Sequence, residues 1–100
     1  MKLYSVSYGL KEPMDTEKWL RFLHKIKRNY DWNHWIETVW FVKSDKSSRE
    51  IYEDLFELGT FNGFFVTEIN PDTIEAWAPT AFRTWLEKDK TNGQERLNQD

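Results

Sequence analysis

Three β-prone runs, 2–8 (KLYSVSY), 34–43 (HWIETVWFVK) and 63–69 (GFFVTEI), alternate with two stretches of helical periodicity, and that alternation restricts the chain to an α+β fold. Across residues 16–30 the side chains of Trp19, Phe22, Leu23, Ile26 and Tyr30 recur at a spacing that puts them on one helix face. Asp15 stands where an N-cap accepts amides of the first turn, and Glu17 is placed favourably against the helix dipole. The second stretch opens with Ser47-Ser48-Arg49-Glu50, a capping box in which serine and glutamate satisfy each other's amides. It carries Ile51, Leu55 and Leu58 inward, with Tyr52 and Phe56 on its flanks. It stops at Gly59, a residue suited to the left-handed position just past a helix end.

The 34–43 run is long for one strand and also reads as two short strands with a bend near Glu37-Thr38, after a break at Asp31-Trp32-Asn33. Beyond a turn at Asn70-Pro71-Asp72, residues 73–77 read as a short strand. Pro79 suits the first turn of a last helix carrying Phe82, Trp85 and Leu86 on one stripe. The order predicts a ferredoxin-like βαββαβ sheet with two helices on one face and an additional short C-terminal helix. Residues 1–87 form that domain, and residues 88–100 (KDKTNGQERLNQD), with almost nothing to bury, read as a flexible polar tail.

One hundred residues suffice for one core burying about two thirds of the unfolded surface. Six tryptophans exceed what such a core needs, so one or two are expected as interface anchors. Cysteine is absent, which excludes disulfides, thiolate metal sites and a cysteine nucleophile. No apolar run approaches the ~18 residues that span a bilayer, so no membrane role is expected and the simple reading is a cytoplasmic protein.

Charge is distributed unevenly. Residues 1–30 hold seven Lys/Arg against three Asp/Glu, a balance of +4, whereas residues 31–100 hold seven against fourteen, a balance of −7, giving −3 for the chain. Lys18, Arg21, Lys25 and Arg28 form a basic stripe on the first helix, opposite its apolar face. Such a stripe tracks phosphates, docks an acidic protein surface, or is an ordinary solvated face. Glu50, Glu53, Asp54 and Glu57 form an acidic stripe on the second helix. The two stripes face one another if the helices are neighbours, and an acidic face beside a basic one opposes a duplex.

Catalytic and metal-binding signals are weak. His24 and His34 have no second ligand at metal spacing and no nucleophile beside them. Glu68, Asp72 and Glu75 suit turn-forming and solubility roles better than a cation site, and the four glycines are too scattered for a phosphate loop. No cofactor, metal site or catalytic set is expected.

The segments 3–10, 36–45 (IETVWFVKSD) and 64–69 (FFVTEI), with Trp77 and Trp85-Leu86, resemble the ferredoxin-like family related to the CRISPR adaptation endonuclease, and within it the short bacterial SinR-like proteins. The resemblance covers roughly residues 2–87. It implies a homodimer formed through the bare sheet face or edge strands. The strand aromatics read as core or dimer-interface residues, and Tyr4, Trp35, Phe41 and Phe64, with Trp77, are the interface candidates. In the relatives that are nucleases, an acidic residue ending the first strand holds a divalent metal; here that position is Gly9, which has no ligand atom. The expectation is a non-catalytic interaction module, a homodimer that binds another protein through Lys18, Arg21, Lys25 and Arg28. The alternatives are a metal-dependent endonuclease, or a nucleic-acid-binding module using the same basic face.

Overall fold

The computed structural model describes residues 1–88. Contacts divide the chain into two compact units, Met1–Ile69 and the residues from Asn70 onward, a boundary that falls earlier than residue 87. Apart from Lys88, the expected tail 88–100 lies outside the described residues.

In the first unit, strand β1 (Lys2–Leu10) leads to helix α1 (Thr16–Asn29), the hairpin strands β2 (Asp31–Ile36) and β3 (Val39–Ser44), helix α2 (Ser48–Leu55), a 3-10 turn (Phe56–Leu58) and strand β4 (Phe61–Ile69). Both helices start where their caps predict. Asp15 Oδ1 accepts the Lys18 amide at 3.1 Å. The capping box is complete: Ser47 Oγ accepts from Glu50 N at 3.1 Å, and Glu50 Oε1 accepts from Ser47 N at 3.0 Å.

Four strands form one sheet in the order β2-β3-β1-β4, and every neighbouring pair is antiparallel. It follows that β1 runs parallel to β2 with β3 between them, and β3 parallel to β4 with β1 between them. Each helix is therefore the crossover of a split βαβ unit.

Period-two alternation fixes which side chains meet the helices. Val6 lies opposite Trp40 and Tyr4 opposite Val42, so these four and Tyr8 share a face. Phe22, Ile26 and Tyr30 from the α1 side and Ile51 and Leu55 from α2 close over that face. Trp40 is fully buried at the centre: its Nε1 donates to the Tyr8 hydroxyl at 2.8 Å, and the His34 ring stacks on it at 3.9 Å between centroids. Burying an indole removes ~150–250 Å² from water, a gross gain of about 4–6 kcal/mol. Trp19, Phe22, Tyr8, Phe61 and Phe64 extend this core as a cluster of edge-on and tilted rings.

Several expectations need correction. The Asp31-Trp32-Asn33 break is instead the start of β2, whereas the reading of two short strands meeting near Glu37-Thr38 holds, with a hairpin turn joining β2 and β3 there. Gly59 is extended, not left-handed, with φ of −129°. The helix instead tightens into a 3-10 turn, and glycine suits this site because a Cβ here would force the packed Phe61 ring to shift.

In the second unit, Asn70 caps a 3-10 turn (Pro71–Thr73) through Oδ1, which accepts from Asp72 N at 2.9 Å. Residues 74–79 have no regular structure, so the strand expected over 73–77 does not form. Residues 80–88 are helical, and the Pro79 carbonyl accepts the Phe82 and Arg83 amides at 3.0 and 3.3 Å. Arg83 Nη2 donates to the Ala76 carbonyl at 3.3 Å, tying the irregular stretch to that helix.

Candidate docking groove

The outward face of α1 forms one wall of an open groove of about 550 Å³, lined by Glu17, Leu20, Arg21, His24, Lys25, Arg28 and Asn29, with Leu58 from the 3-10 turn. Helical spacing explains the set: positions 17, 20, 21, 24 and 28 recur every three to four residues, and face away from the Phe22/Ile26 stripe. The structure thus brings three of the four expected basic residues to one concavity. Lys18 is not among the lining side chains.

The stripe is not free of acid. Arg21 Nη2 pairs with Glu17 Oε1 at 2.7 Å, both well exposed, a contact worth about 0.3–0.5 kcal/mol. Arg28 Nη1 lies 3.1 Å from His24 Nε2. Lys25 Nζ reaches across to Asp54 Oδ1 on α2 at 3.3 Å. The two charged stripes therefore meet through one carboxylate, since Glu50 is committed to its cap and Glu53 pairs with Arg49 on its own helix at 3.5 Å.

Asp54 is the polar junction beneath this groove. Its Oδ2 accepts from the Tyr30 hydroxyl at 2.6 Å and from Lys46 Nζ at 3.3 Å. Burial pushes its pKa up, but the donors Tyr30, Lys46 and Lys25 together outweigh that and hold the carboxyl below the usual range. Tyr30 moves the other way: burial, then its bond to the Asp54 carboxylate, raises the phenol well above its ordinary value. The network pins α1 to α2, and so fixes the groove wall.

Leu20 went unnoticed in the sequence, and Leu58 reads there only as an inward-facing residue of the second helix. Leu20 is 58% exposed, an apolar residue on the polar side of α1, and that misplacement was the available signal. Guanidinium groups flanking exposed leucine suit an acidic segment with an apolar anchor: the forks take carboxylates, and the leucine takes a desolvated side chain.

The five residues expected at a dimer interface separate by face and by unit. Tyr4 is 1% exposed beneath the helices, its hydroxyl donating to the Lys46 carbonyl at 2.6 Å, so it belongs to the core and cannot contact a second chain. Phe64 packs on the same core. Phe41 lies on the opposite sheet face from Trp40, where it stacks with Trp35 at 6.1 Å. Trp77, in the second unit, is 97% exposed.

Among the described residues, no group of three or more His, Cys, Asp or Glu is arranged to hold a metal ion. His34 Nε2 lies 3.0 Å from the Glu37 carbonyl. Gly9 pairs with Gly63 across β1 and β4, and a Cβ there would meet the Asn62 side chain. No described helix is long and apolar enough to cross a membrane. No protein-family model matches this chain, and no curated protein or solved structure matches it either.

Proposed function

We propose that this chain is a non-catalytic interaction module on a ferredoxin-like plan, whose α1 groove docks an acidic segment of a protein partner. The order β4-β1-β3-β2 with two split βαβ crossovers supports the plan. One observation carries the docking role: Arg21, Lys25 and Arg28 line the same open groove as the solvent-exposed Leu20. A scaffold of this kind hosts many functions, so the groove and not the fold bears the argument.

A nucleic-acid role is the second reading. Three cations interrupted by Glu17 supply at most about three phosphate contacts, a salt slope near −3 and weak binding at physiological salt. The net charge of −3 also opposes a polyanion.

Fluorescence anisotropy with a labelled Glu/Leu peptide and with random RNA and DNA separates the two. The peptide should bind, and the double reversal Arg21→Glu with Arg28→Glu should abolish binding while the melting temperature stays nearly unchanged. Tight wild-type binding to random nucleic acid at physiological salt would overturn the docking role.

A further inference from the structure

We infer that the occupant of the α1 groove is the acidic stretch 70–79 of a second copy of this chain, anchored by Trp77. The inference rests on the docking role proposed above and names its partner.

The observations come from both sides of the contact. Trp77 is 97% exposed, the most exposed of the large apolar side chains, although an indole is costly to leave wet. Residues 74–79 have no regular structure and are tied to the following helix through Arg83 and the Ala76 carbonyl, so Trp77 is offered on an irregular but anchored segment. That stretch, NPDTIEAWAP, contains two acids and no Lys or Arg, and Glu75 is exposed. The groove is net basic beside Leu20 and Leu58: Arg21, Lys25 and Arg28 line it against the single carboxylate of Glu17, so an incoming carboxylate competes with Glu17 for Arg21 and with Asp54 for Lys25 and meets Arg28 beside His24.

Dimensions agree as well. Arg21 and Arg28 stand about 10 Å apart along the α1 axis. The Glu75–Trp77 step spans about 7 Å if extended. The long Arg and Glu side chains make up the difference of about 3 Å, so one segment sets its carboxylate at one guanidinium and its indole over the other. A guanidinium on an indole face is favourable, and Trp with Arg is the pairing enriched at interface hot spots. Groove and segment are different patches, so the contact is either made twice in a two-fold, isologous pair or repeated head to tail as a series of copies.

Sedimentation velocity over about 1–500 μM covers the affinities expected of a small charged contact. The wild type should self-associate, less so at high salt. Trp77→Ala should weaken association about 30-fold or more, as hot-spot loss does, and Arg21→Glu with Arg28→Glu should do the same. Mixing the two variants is the decisive arm. The Trp77→Ala copy keeps its groove and the groove-reversed copy keeps its indole, so together they should form a complex that neither forms alone. A synthetic 70–79 peptide should bind the Trp77→Ala protein, and its Trp→Ala version should not. A wild type that stays monomeric throughout, or variants that associate like it, would overturn the copy-on-copy contact. If the Glu/Leu peptide then still bound, the docking role would survive alone; if nothing bound, both would fall.

Discussion

The Tyr8–Trp40 pair offers a sharp test of how the core is built. The indole Nε1 donates to the Tyr8 oxygen at 2.8 Å, with Trp40 fully buried and Tyr8 only 6% exposed. Tyr8→Phe removes the acceptor and leaves a buried N–H with no partner, at a cost of about 1–3 kcal/mol. Trp40→Phe strands the Tyr8 oxygen and opens a cavity where the outer, six-membered part of the indole lay, together about 2–4 kcal/mol. In the double Phe variant no polar atom is stranded, so it should cost about 1–2 kcal/mol less than the sum of the singles. With a urea slope near ~1.5 kcal/mol/M, that coupling is a displacement of about 1 M in midpoint. Trp40→Ala should cost ~3–5 kcal/mol, lowering the midpoint by about 2–3 M. Singles that add within about 0.5 kcal/mol would refute the reasoning, because residues sharing a buried hydrogen bond cannot be independent.

Asp54→Asn should cost about 1–2 kcal/mol at neutral pH through its bonds to Tyr30, Lys46 and Lys25. Because the folded pKa of Asp54 is depressed, this contribution is present above the ordinary carboxylate value near ~4 and is lost as pH falls through the folded value. Urea titrations at acid and neutral pH should show the gap between wild type and variant closing in acid, and a constant gap would count against the network. Ser47→Ala should remove about 1 kcal/mol, seen as a melting point roughly 4–8 °C lower; an unchanged value would mean that the cap is not used. Labelled RNA and DNA should survive incubation with Mg²⁺ or Mn²⁺, since Gly9 supplies no ligand oxygen. Cutting abolished by Glu68→Ala would reinstate the nuclease reading.

What the sequence determined by itself is local. Asp15 and the Ser47/Glu50 box marked both helix starts, and the Trp19/Phe22/Ile26 and Ile51/Leu55 spacings named the faces that turn inward. These signals are legible because capping and amphipathic period act over three or four residues. The strongly β-prone run around Trp40 is local too, and the structure buries that residue fully.

What depended on distant partners was decided only by the tertiary structure. Tyr4 and Phe41 are both β-strand aromatics, but the cross-strand register sends Tyr4 beneath the helices and Phe41 to the other face. Gly59 looked like a left-handed cap, and its real constraint is the Phe61 ring two residues on, set by where β4 returns to the sheet. The basic stripe was visible as a spacing. Arg21 and Arg28 find Glu17 and His24 four residues away on their own helix, but the partner of Lys25 was not legible, because Asp54 reaches it only after the sheet has brought two crossover helices side by side. Periodicity assigns a residue to a face of its own element, and only the packed sheet says what that face meets.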